Sequence, residues 1–180
     1  MKLQASLSQK SINQLIGDVK RYQNSLHDKS EMLVNRLLSV GITAAQGNAG
    51  AMGKYILFQK DVEDQSNKIA GVLIGENKSV INSVWKTQDG VKKAKISPIL
   101  FAEFGSGWLS EVLFDDVSGV GQGTFPGQEH AFDPNGWNWM DMDGHWHHSR
   151  GFKPTHPMYI AEMRMLGEIY EIAREVFTSG

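Results

Sequence analysis

The 180-residue chain contains no cysteine. That removes disulfide frameworks, thiol catalysis and thiolate metal sites together, and it favours synthesis in a reducing compartment. No apolar run approaches the roughly 20 residues that a membrane-spanning helix needs. The opening stretch, MKLQASLSQKSINQ, is too polar for a secretory signal, so the expectation is a protein made and kept in solution. Charge of one sign is not in excess: 18 Lys and Arg stand against 20 Asp and Glu. This excludes a surface that is basic all over, as a dedicated nucleic-acid binder has, and also an acidic disordered tail. There is no phosphate-binding loop, no dinucleotide fingerprint, no Ser-His-Asp signature and no internal repeat.

What is present suits one domain with a real core: 41% of residues are hydrophobic, and 19 are glycine. The small net charge hides blocks of opposite sign. Residues 1–60 carry a balance of +5, and residues 98–150 a balance of −7. A subunit with one basic and one acidic surface can bind copies of itself head to tail. The basic contributors on this reading are Lys20, Arg21, Lys29 and Arg36. The acidic ones are Glu111, Asp115, Asp116 and Asp133.

The periodicity predicts an α+β fold of one domain, residues 1–180. Residues 1–45 hold a long helix, because Ile12, Val19, Leu26, Leu33 and Val40 recur every seven residues with no proline between them. Ser8 or Ser11 would cap it. A helix this long either breaks near Gly17 or Gly41 or projects toward another subunit. Residues 46–53, QGNAGAMG, predict a mobile linker. Residues 54–97 predict an antiparallel meander of about four strands with short polar turns, one of them Asp89-Gly90. Ser97-Pro98 opens a short helix that Gly105 and Gly107 stop. Residues 108–150 predict a loop-rich insertion carrying a small hairpin around Met142-Asp143-Gly144. Residues 157–177 form the last helix, with Met158, Ala161, Met165, Leu166, Ile169, Ile172, Ala173 and Val176 as its apolar stripe.

Chemistry-bearing residues are few. His145, His147 and Asp143 could hold zinc, iron or nickel, which would make a metal-dependent hydrolase the alternative function. The spacing matches no zinc pattern, and histidines bonded within a hairpin account for it better. A calcium loop starting at Asp141 lacks its glutamate, since position 152 is Phe152. Glu103 could act as a general acid or base, but without a second carboxylate at a recognisable spacing its expected role is to accept hydrogen bonds from the backbone of the glycine turn that follows it. Trp137, Trp139 and Trp146 could stack on bases. Their acidic surroundings oppose that, and a small core holding the insertion together is expected instead.

The order of these parts resembles the tail-component family of long-tailed double-stranded-DNA bacteriophages, the tail-completion or head–tail joining proteins of the neck. The resemblance is carried by Phe101-Ala102-Glu103-Phe104-Gly105 and by the run Gly151, Pro154, Pro157-Met158 and Ala161 leading into the last helix. It covers nearly the whole chain. The insertion at 108–150 is longer than in compact members. The resemblance implies a ring-forming structural protein, commonly a hexamer, with no catalysis and no cofactor. Its implied partners are copies of itself, neighbouring neck and tail proteins, and DNA passing through the channel without sequence-specific binding. Its implied location is the virion, after synthesis in the bacterial cytoplasm.

Overall fold

A computed structural model describes residues 8–65, 68–79, 81–109 and 133–178. The first helix, α1, runs Gln9–Asn48 without a break. Ser8 starts it: its backbone is extended, and its Oγ accepts the Ser11 amide at 3.2 Å. At about 1.5 Å per residue the 40 residues reach roughly 60 Å. Gly41 does not break the helix. It is buried where α1 crosses the last helix, and a Cβ there would lie 2.7 Å from the Met165 sulfur.

The stretch expected to be a mobile linker is ordered. Its first three residues complete α1, and Gly50–Tyr55 form a 3₁₀ helix. Small side chains explain this: Ala45 and Ala49 are fully enclosed in the core, so the chain turns tightly and remains packed.

Strands β1 (Ile56–Gln65) and β2 (Lys68–Asn77) form an antiparallel hairpin that lies along α1. Gly71 permits the approach, since a Cβ there would meet Val34 and Leu38 of α1 at 2.5 and 2.7 Å. Strands β3 (Ile81–Thr87) and β4 (Gly90–Ile96) form the next hairpin; its turn is Gln88-Asp89, one residue before the expected Asp89-Gly90, because Gly90 at φ +119 already pairs with Thr87 as the first residue of β4. The α+β class and the four strands are as the periodicity predicts. The meander, however, is divided. β1 and β2 form one sheet, while β3 joins the hairpin of the insertion in the order β4-β3-β6-β7. β6 (Trp137–Met140) and β7 (Trp146–Ser149) are that hairpin, and Lys86 of β3 pairs with Met140.

Asn77 stands at the division. As the last residue of β2, it turns its side chain onto the short helix α2 (Pro98–Phe104). Its Oδ1 accepts the Ile99 amide at 3.0 Å, and its Nδ2 donates to Ser97 Oγ at 2.9 Å. The cap of α2 is therefore Asn77 from β2, where the sequence pattern pointed to Ser97. Two short strands, β5 (Ser106–Gly107) and β8 (Gly151–Phe152), tie the ends of the insertion together. The last helix, α3, runs Pro157–Thr178. The core lies where the end of α1, β1, α2 and the start of α3 meet: Ala45, Ala49, Ile56, Phe58, Ala102 and Ala161.

The stripe of α3 is narrower than its apolar residues predict. Pro157, Ala161, Ile172 and Val176 are buried, whereas Leu166 and Ile169 are exposed. Helical periodicity marks which residues share a face, but it does not say whether the chain's own core covers that face.

Candidate functional site

The two segments that carry the family resemblance meet in space. α2 delivers Ala102 and Glu103 to the first turn of α3, which is 55 residues later in sequence. The Ala102 carbonyl accepts the amides of Thr155 and His156 at 2.8 and 3.0 Å. Glu103 Oε2 accepts the Met158 amide at 2.8 Å, and Oε1 accepts the Tyr159 amide at 3.0 Å. The first amides of a helix have no partner within it, and its dipole favours negative charge there. Both oxygens of the carboxylate serve that need, so the partners of Glu103 are the first amides of α3, far along the chain, and not the backbone of the glycine turn expected from the sequence.

Pro157 is the first residue of α3 and is fully buried; it needs no partner for an amide hydrogen it does not have. Gly105 ends α2 at φ +70, ψ −160. A Cβ at Gly105 would lie 2.5 Å from the Phe152 carbonyl oxygen and 2.6 Å from the Pro154 ring. Glycine is thus required both by the backbone angle and by the chain passing over it.

The hairpin of the insertion is organised by Asp141. Its Oδ1 accepts the amides of Asp143 and His145, each at 2.9 Å, and its Oδ2 meets His147 Nε2 at 2.8 Å. The His147 hydrogen bond, followed by the His145 amide, holds the Asp141 carboxyl well below the usual carboxylate range. The His147 ring also stacks on Trp139, with centroids 4.5 Å apart. His148 Nε2 bonds to the Asn135 carbonyl at 2.6 Å. The set His145, His147 and Asp143 is therefore not assembled as a metal site. The residues that come within 4.8 Å of one another are Asp141, Asp143 and His145, and Asp141 is already the acceptor for the turn. Trp137 lies over Gly107, where a Cβ would be 2.7 Å from its ring. Trp146, by contrast, is 69% exposed, so of the three tryptophans expected to form the insertion's small core only Trp137 and Trp139 do so.

The residues proposed for a charged contact divide three ways. Arg36 pairs with Glu175 of α3 in the same chain, and Arg21 pairs with Asp18 on α1. Lys29 Nζ reaches the Phe177 carbonyl at 3.5 Å. Asp133 accepts the Asn135 amide in a turn at 2.8 Å. Glu111, Asp115 and Asp116 lie outside the described residues. The groove between α1 and α3, about 660 Å³ and lined by Met32, Arg36, Lys60, Glu168 and Glu171 among others, has its cations engaged. Lys60 is held by Asn35 Oδ1 at 2.9 Å and Ser39 Oγ at 3.2 Å.

Of the two apolar surfaces, the sequence offered the projecting helix as one alternative and took the outer face of α3 for core. α1 meets the end of β1 at His27, 3.0 Å from Asp64, and the end of α3 at Lys29. Residues 9–26 continue past both, with Ile12, Ile16, Val19 and Leu26 exposed. On α3, Met163, Leu166, Tyr170 and Phe177 are exposed as well. For α3 the signal available was the second seven-residue row, Met163, Tyr170 and Phe177, beside the one that is buried.

No protein-family model, curated protein or solved structure matches this chain.

Proposed function

We propose that this chain is a ring-forming structural subunit of the neck or tail of a long-tailed double-stranded-DNA phage, a tail-completion or head–tail connector protein. The observation that carries the reading is the junction of α2 and α3. The two sequence pieces behind the resemblance, residues 101–105 and 151–161, are separated by an insertion yet close on one another through Ala102, Glu103 and Gly105. They behave as one structural element, as a shared family core would.

The surfaces also support it. A projecting helix and an exposed apolar face on α3 suit a subunit completed by its neighbours. In this reading the role is mechanical. Copies close around the DNA channel, commonly as a hexamer, and the faces of the ring join neighbouring neck and tail proteins. Neither catalysis nor a cofactor is involved.

Quantitative mass spectrometry of purified particles tests the reading. The expected result is a small, fixed copy number per particle, as a single ring requires. Absence from particles would overturn it, as would a copy number on the scale of a capsid or tail tube.

A further inference from the structure

Two exposed apolar seams in this chain have the same design. On the projecting part of α1, Ile12, Val19 and Leu26 recur every seven residues, with Ile16 beside them. On the outer face of α3, Met163, Tyr170 and Phe177 recur every seven residues, with Leu166 beside them. All eight are exposed; Tyr170 is 71% and Leu166 58% accessible. Seven-residue spacing is what keeps one helix facing another along a seam. Each seam covers 15 residues, roughly 21 Å from first to last at about 1.5 Å per residue. The charges on the two elements are opposite. Residues 9–26 carry Lys10, Lys20 and Arg21 against Asp18, and α3 carries four glutamates against two arginines. With Arg21 paired to Asp18, Arg36 to Glu175, Arg164 to Glu168 and Arg174 to Glu171 within the chain, Lys10 and Lys20 on the one element face Glu162 on the other.

We infer that the projecting part of α1 of one copy docks along the outer face of α3 of a second copy. This rests on the ring reading above and names its contact. A second copy is the fitting occupant because the two seams are equal in length, opposite in charge and, among the described residues, present once each. Burying α1 of one copy on α3 of the next leaves every copy with one seam still to fill, until the array closes. The contact is heterologous, so it makes rings or filaments rather than an isolated pair. Apolar side chains at seven-residue spacing supply the attraction, and the opposite net charges steer the approach. The charged contact expected from the sequence thus becomes an apolar one, with Arg21 and Arg36 occupied inside their own chain.

The chain has no cysteine, so introduced ones report a single contact. Val19 and Tyr170 are the midpoints of their seams, so they meet whichever direction the two helices run. Two helices touching over about 21 Å bury less than the roughly 800 Å² per partner of a standard interface, so the contact is best trapped covalently. Mixing Val19→Cys with Tyr170→Cys under mild oxidation should give a disulfide-linked dimer, on the order of tenfold more than either variant alone. The double variant, Val19→Cys with Tyr170→Cys, should give a ladder of linked species. Adding Leu166→Glu to it should remove the ladder at unchanged melting temperature. A mixture that links no better than the single variants overturns the contact. So does a dominant dimer from Val19→Cys alone, which would mean α1 pairs with α1. Rings that persist in Leu166→Glu would overturn the contact and spare the ring. A ladder from a chain absent from particles would leave the contact standing and overturn the phage reading.

Discussion

Replacing Glu103 should weaken the fold by an amount that can be worked from its geometry. The carboxylate accepts two amides of the first turn of α3, at 2.8 and 3.0 Å. Hydrogen bonds to charged groups contribute roughly 1.5–3 kcal/mol each, and loss of a helix cap costs about 0.5–2. Glu103 is only half-buried, so water can take up part of what is lost. Glu103→Ala should therefore cost about 2–3 kcal/mol. For a domain of this size that is a fall in melting temperature of roughly 5–10 °C. Glu103→Gln should cost about half as much, because an amide has one acceptor oxygen and its NH₂ would face a backbone N–H. Thermal unfolding followed by circular dichroism, with a denaturant titration to confirm an unchanged slope, provides the measurement. If both variants melt with the wild type, Glu103 does not hold α3. If Glu103→Gln folds normally but no longer assembles, its partner lies on another subunit.

Gly105→Val should be worse than Glu103→Ala, because the angle of +70 and the contact with Phe152 both forbid a side chain; soluble yield and unfolding midpoint would show it. Ile172→Ala should cost about 2–4 kcal/mol, whereas Ile169→Asp, at a position 46% exposed, should leave the melting temperature nearly unchanged. Asp141 has a folded-state pKa below its unfolded one, so its contribution is present at neutral pH. It is lost only as pH falls through and below the ordinary carboxylate range. Carboxyl NMR should find Asp141 still ionised at a pH where other aspartates have protonated, and His147→Ala should abolish that difference. Elemental analysis of untagged protein should find well under one equivalent of zinc, iron or nickel; stoichiometric metal lost on His145→Ala would revive the hydrolase.

Local features of this chain were legible because their causes are local. Ser8 caps the first helix, Gly105 takes the positive φ of a terminator, Gly90 takes the positive φ that follows a hairpin turn and Pro157 starts a helix. Each follows from a side chain acting on its own backbone within a few residues. What the pattern did not reveal depends on partners far along the chain. Asn77 caps a helix 22 residues away, and Glu103 reaches 55 residues ahead. The same limit explains α3. Ile172 and Ile169 are equally apolar, yet only the first faces the chain's own core. The glycine-rich stretch misled because small residues permit either flexibility or close packing; Ala45 and Ala49, in the core, decide for packing.

The central claim is that this chain forms a ring at the head–tail junction, and labelling the particle tests it most directly. Antibody raised against the purified chain and carrying gold would be applied to particles whose genome encodes it, then imaged by electron microscopy. The account predicts label at the neck or adjoining end of the tail, on one side of the capsid only. Label spread over the capsid or along the tail shaft would contradict it, as would particles with none where a control antibody to a known neck protein succeeds.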